Sequence, residues 1–136
     1  RYIGADAGGG FAVELVKLPG RRILLVEDEP LIAMFAEMAL EDAGAVVVGP
    51  AANVASALAA LDGQAADAAL VDVRLRGGES GYDLADQLAQ RGIPFVLATG
   101  MQVGDVPPRH RARPVLPKPY TAPQLLSALG AVMKGV

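Results

Sequence analysis

Five short apolar runs, separated by stretches patterned as helices, restrict more than anything else what this chain of 136 residues can fold into. They are Ile23-Leu24-Leu25-Val26, Val46-Val47-Val48, Ala69-Leu70-Val71, Phe95-Val96-Leu97-Ala98 and Val115-Leu116. Most are continuously apolar, as parallel strands are when helices cover both faces. Pro30 to Ala43 carries Leu31, Met34, Phe35 and Met38 at helical spacing, with Pro30 suited to a first turn and Gly44 to a cap. Asn53 to Leu61, Gly81 to Arg91 and Thr121 to Met133 give three more helices. Between Gly104 and Pro114, two prolines and three arginines leave room only for a short, irregular fourth helix. Strand and helix in alternation predict an α/β domain with an open parallel sheet and a ligand site outside the carboxyl ends of its strands.

Composition removes several function classes. With 52% hydrophobic residues the chain is rich enough to close one core. Twelve Lys plus Arg against fifteen Asp plus Glu leave a net charge of −3, so neither nucleic acid nor an anionic membrane is the expected partner. Cysteine is absent, which excludes disulfides, zinc-thiolate sites and thiol catalysis and makes a cytoplasmic location the natural expectation. No apolar run approaches the ~20 residues that span a bilayer. Residues 1–20 stand apart from the pattern. Gly8-Gly9-Gly10 reads as a turn without phosphate-loop spacing, Phe11 to Val16 as one further strand, and Pro19-Gly20 as a break. A boundary here leaves 21–136 as the principal domain. The start at Arg1 and the Gly-rich stretch behind it suggest a piece of a longer polypeptide.

Chemistry gathers at strand ends. Glu27, Asp28 and Glu29 follow the first strand, and Asp72 follows the third. Neighbouring parallel strands bring Asp28 and Asp72 to one rim, where like charges destabilise one another unless a cation neutralises them. Carboxylates with no His or Cys nearby match the hard-ligand preference of Mg²⁺ and disfavour zinc. The fourth strand adds Thr99 and the fifth adds Lys118 to the same edge. A carboxylate flanked by a divalent cation, a hydroxyl and an ammonium suits phosphoryl transfer with an aspartyl phosphate as product. Singly, each residue admits a plain role: Asp28 and Glu29 at a helix start, Asp72 and Thr99 in turns, Lys118 in a rigid loop. Four such accidents at successive strand ends are a poor explanation.

Leu25-Val26-Glu27-Asp28-Glu29-Pro30, Val71-Asp72-Val73, Ala98-Thr99-Gly100 and Lys118-Pro119 resemble the receiver domains of two-component signalling over about Arg22 to Val136. Asp28 and Asp72 lie 44 residues apart, a separation similar to that family's. The resemblance implies a flavodoxin-like, doubly wound five-stranded sheet in the order 2-1-3-4-5. It makes Asp72 the phosphoacceptor and Asp28 a direct Mg²⁺ ligand, with Glu27 acting through water and the carbonyl of Arg74 as a third ligand. Thr99 and Lys118 would each bind a phosphoryl oxygen. The implied donor is a phosphohistidine on a sensor kinase, a phosphotransfer protein or another part of the same polypeptide. Many receivers carry Tyr or Phe three positions before the lysine as a switch coupled to the threonine; Val115 stands there, so the signal is expected to leave by another repacking.

Ile93-Pro94-Phe95-Val96-Leu97-Ala98-Thr99-Gly100-Met101 is similar to a subgroup carrying Pro-Phe-x-Phe-Ala-Thr-Gly-Tyr, from which Leu97 and Met101 depart. That subgroup includes receivers fused to histidine kinases of the HWE type. Gly9 to Leu18 looks like the closing strand of a kinase ATP-binding domain, which would make the chain the C-terminal receiver of a hybrid kinase. The 11–16 strand, detached from such a neighbour, would offer an edge for a weak homodimer. Arg109-His110-Arg111-Ala112-Arg113 reads as a solvated loop, and His110, the only histidine, receives no role. Two other classes remain: an interaction module that is never phosphorylated, and a phosphatase of the haloacid dehalogenase type. The latter needs a second acid two residues after the nucleophile, where Arg74 stands.

Overall fold

The computed structural model describes residues 2–3, 13–14, 16–100 and 106–134. Two short strands, β1 (Tyr2–Ile3) and β2 (Val13–Glu14), pair antiparallel. Only Val13–Glu14 of the strand expected over Phe11 to Val16 is seen in it. Phe11, Ala12, Leu15, the triple glycine and Met101 lie outside the described residues.

The main sheet contains β3 (Arg22–Val26), β4 (Val46–Ala51), β5 (Ala68–Asp72), β6 (Phe95–Thr99) and β7 (Val115–Pro117). Its order is β4-β3-β5-β6-β7 and every pairing is parallel. Counting these five strands alone, the order is 2-1-3-4-5, the flavodoxin-like arrangement. The helices are α1 (Pro30–Asp42), α2 (Val54–Asp62), α3 (Gly81–Gln90) and α4 (Ala122–Met133). Where an irregular helix was expected, the described residues from 106 onward make a 3-10 turn at Pro108–His110, and Gly104 and Asp105 lie outside the described residues.

Local chemistry explains the helix ends. Asn53 and Ser56 cap the start of α2 reciprocally, as do Thr121 and Gln124 at α4. Ser80 accepts from the Tyr82 N–H at α3. Gly44, at φ 91°, turns the chain out of α1 in a conformation closed to most side chains.

Successive strand residues feed opposite cores. Ile23, Leu25, Leu70, Val96 and Ala98 pack with Ala36 and Leu40 of α1 and Leu125 and Leu129 of α4. Leu24, Val26, Val71, Phe95 and Leu97 pack with Ala57 and Leu61 of α2 and Leu84 and Leu88 of α3. Continuous apolar strands are the direct consequence of this double coverage. Leu18 also enters the first core, and its N–H donates to the Ala43 carbonyl at 2.9 Å.

The periodic stripe that identified α1 does not face the sheet. Leu31, Met34, Phe35 and Met38 are exposed, and the buried face consists of Ala33, Ala36 and Leu40. Small alanines let α1 approach the strands closely and leave the bulkier side chains outside. No helix among the described residues is long and apolar enough to cross a membrane.

Candidate functional site

Register assembles the acid rim. Val26 pairs with Val71 across β3 and β5, Asp72 with Ala98 across β5 and β6, and Thr99 with Pro117 across β6 and β7. The next residue or two of each strand therefore emerge on one edge: Glu27 and Asp28, Asp72, Thr99 and Lys118. Glu27 and Thr99 are held by the ladder itself. The Glu27 N–H donates to the Ala51 carbonyl at 2.9 Å, and the Lys118 N–H donates to the Thr99 carbonyl at 2.9 Å.

Carboxylate oxygens of Glu27, Asp28 and Asp72 all lie within 4.8 Å of one another. Glu27 and Asp72 are buried, and Asp28 is half-buried. Lys118 Nζ stands 3.0 Å from Glu27 Oε1 and 3.1 Å from Asp72 Oδ2, and the outlying Glu29 is 3.9 Å away. The other Asp72 oxygen, Oδ1, accepts the Arg74 N–H at 3.1 Å. Three carboxylates facing one ammonium leave negative charge in excess. Burial, followed by a hydrogen bond shared with the Asp72 carboxyl, pushes the Glu27 carboxyl up to about 7. Burial works against the charge of Lys118, but its contacts with Glu27 and Asp72 hold it above its ordinary value. A cluster of oxygen donors with surplus negative charge fits a hard divalent cation.

Thr99 is buried at the end of β6 and lines an open pocket of about 480 Å³ with Asp72, Arg74, Gly100, Lys118 and Glu29. Every residue named from the sequence thus reaches one rim. Arg74 contributes its N–H to Asp72 while its side chain is exposed at the pocket mouth. The Lys118-Pro119 bond is cis.

Two contributors were not named from the sequence. A Cβ at Gly81 would overlap the backbone carbonyl of Asp72, so only glycine lets α3 begin against the acid strand. The Gly81 N–H donates to the Val73 carbonyl at 2.8 Å, fixing the loop that follows Asp72. Nothing in the sequence marked this close approach. Tyr120, after the cis proline, is buried against Phe35, and its hydroxyl meets no partner among the described residues. Burial, and after it the charges of Glu27 and Asp72, raises that hydroxyl above the usual phenol range.

The polar-loop reading of His110 is overturned. Its ring is 3% exposed and its Nε2 lies 2.8 Å from Asp86 Oδ1, because the 3-10 turn lays it between α3 and β6. The arginines around it are engaged as well: Arg109 with Asp86, Arg111 with the Val106 carbonyl, and Arg113 over the Phe95 ring.

Comparison with known proteins agrees with this fold. SdrG from Sphingomonas melonis Fr1 is 48% identical, superposes with a TM-score of 0.74, and shares 84% of this chain and 97% of its own. The BeF3-activated conformation of SdrG, attributed to Pseudomonas melonis Fr1, is 49% identical, with a TM-score of 0.72 over 82% of this chain and 95% of its own. The transcriptional regulatory protein PdtaR of Mycobacterium tuberculosis is 31% identical over 113 residues, 80% of this chain. The chain spans only 55% of the length of that curated relative. Residues 23–130 match the family described as response regulator receiver domain, and the chain belongs to that family.

Proposed function

We propose that this receiver accepts a phosphoryl group from a phosphohistidine onto Asp72, with Mg²⁺ held by Asp28, Asp72 and the Arg74 carbonyl and with Glu27 acting through water. The observation that carries the reading is Lys118 Nζ placed 3.0 Å from Glu27 and 3.1 Å from Asp72 within a surplus of carboxylates. A carboxylate oxygen of Asp72 attacks phosphorus, the bond from phosphorus to the imidazole nitrogen breaks, and that nitrogen keeps the electron pair. Bound Mg²⁺ supplies neutralisation of the rim carboxylates and of the incoming phosphoryl oxygens. Lys118 offers its ammonium to one phosphoryl oxygen and Thr99 its hydroxyl to another, in a transfer that is mostly positioning and charge compensation. A relative solved in a BeF3-activated conformation supports phosphoryl chemistry on this fold.

The donor arrives on a macromolecule. Leu31 is 78% and Met38 62% exposed on α1. An apolar pocket of Leu31, Ile32, Phe35, Pro119 and Tyr120 continues this face to Lys118. A carrier covering this face brings its phosphohistidine to Asp72. The run Pro94 to Gly100 supports the Pro-Phe-x-Phe-Ala-Thr-Gly subgroup, and with it a cytoplasmic hybrid kinase of the HWE type as the parent protein. Reading the upstream frame tests that parentage. Pairing of two copies through the 11–16 edge is tested by sedimentation.

Incubation with acetyl phosphate and Mg²⁺ followed by intact mass tests the central claim. A phosphoryl adduct on the parent, absent from a folded Asp72→Asn variant, is the expected result. No adduct on the parent would favour an interaction module that is never phosphorylated, and turnover of small phosphate esters would favour the phosphatase.

A further inference from the structure

The stretch between Thr99 and Lys118 is fastened at its middle to α3, away from the acid rim. Asp86 accepts from Arg109 Nε at 2.8 Å and from Arg109 Nη2 at 3.1 Å, and its Oδ1 lies 2.8 Å from His110 Nε2. An ionised carboxylate only accepts, so His110 carries a proton on Nε2. The ring stacks on Tyr82 at 6.0 Å and meets Phe95 edge-on at 5.5 Å. Its other nitrogen, Nδ1, is buried and meets no partner among the described residues.

We infer that Asp86 and His110 form a latch that holds residues 106–113 on α3, and that phosphoryl uptake at Asp72 works against it. The inference rests on the acceptor role proposed for Asp72. Three observations lead to it. The ring touches Phe95, which begins β6, the strand that ends in Thr99. Arg113, covering the same Phe95 ring at 4.5 Å, is followed within two residues by β7, which leads to Lys118. Thr99 and Lys118 are themselves joined by a backbone hydrogen bond of 2.9 Å, so a phosphoryl group engaging both side chains pulls on the two ends of the latched stretch. Buried polar atoms are nearly always paired, and the unpaired Nδ1 makes the closed position easier to leave than a fully satisfied one. Val115 provides no aromatic ring at the edge strand, whereas His110 places one against the base of β6.

Amide hydrogen exchange over residues 106–113 tests the latch in the parent, Asp86→Asn and His110→Phe, each with and without Mg²⁺ and beryllofluoride. His110→Phe keeps the ring packing and removes the bond to Asp86 together with the unpaired Nδ1. Loading the parent is expected to raise exchange in this stretch. Both variants should show raised exchange without loading, keep the parent's protection in β3 and β5, and bind beryllofluoride about fivefold more tightly, since coupling is reciprocal. A parent that loads with unchanged exchange over 106–113 overturns the latch and leaves the acceptor assignment standing. Variants that bind beryllofluoride with the parent's affinity overturn it as well. A parent that neither loads nor gains a phosphoryl adduct overturns the acceptor assignment and the latch together.

Discussion

Two charged clusters in this molecule are built on opposite principles. At the rim, carboxylate oxygens of Glu27, Asp28 and Asp72 crowd within 4.8 Å, and Glu27 and Asp72 share the ammonium of Lys118. On α3, a single carboxylate, Asp86, receives three contacts from Arg109 and His110. The guanidinium holds the Asp86 carboxyl below the usual carboxylate range, whereas burial pushes Glu27 up to about 7. A carboxylate matched to its donors fastens two elements together. Carboxylates in excess of their cations repel one another and so favour whatever brings positive charge to the rim.

Removing the nucleophile gives the largest expected difference between the two clusters. Asp72→Asn is expected to lose the acetyl-phosphate adduct completely by intact mass, while Asp86→Asn keeps it. Lys118→Met comes next. Loss of the ammonium leaves Glu27 and Asp72 without their cation and is expected to lower stability by about 3 kcal/mol in urea denaturation. It should also slow adduct formation by about 10²-fold, the usual effect of removing one donor to a developing charge. Equal adduct rates in Lys118→Met and the parent would dissolve the distinction drawn between the clusters.

Gly81→Ala sets a side chain against the Asp72 carbonyl and is expected to cost about 2 kcal/mol, read as a lowered urea midpoint. The pH dependence is subtler. In chelator, folded Glu27 keeps a proton between about 4.5 and 7 that the unfolded chain has already released. The folded state binds more protons in that window, so this contribution to stability falls as pH rises through it. Glu27→Gln should flatten the fall, gaining on the parent between about pH 5 and about pH 8 in urea titrations. Arg109→Ala should change thermal stability least, because its pair with Asp86 is exposed to solvent and the His110 bond remains.

The chemistry of the rim was legible because parallel strands put their carboxyl ends together. Glu27, Asp28, Asp72, Thr99 and Lys118 group together from their positions after apolar runs alone. Other features depended on which surfaces meet. The stripe of Leu31, Met34, Phe35 and Met38 has helical spacing, but spacing alone does not say whether it or the alanine face covers the sheet. His110 lay among arginines and looked solvated until a turn placed it between Tyr82 and Phe95. The buried hydroxyl of Tyr120 follows from packing against α1.

The order of apolar runs and helix-patterned stretches by itself determined an α/β domain, because strands buried on both faces must be apolar throughout and their crossovers must be helical. It also determined which charged residues end at the ligand-binding edge. Tertiary structure alone decided which face of α1 remains outside, how closely α3 approaches Asp72 at Gly81, and that Asp86 captures His110. These outcomes depend on distances between elements far apart in the chain, and periodicity records only which residues of one element share a side.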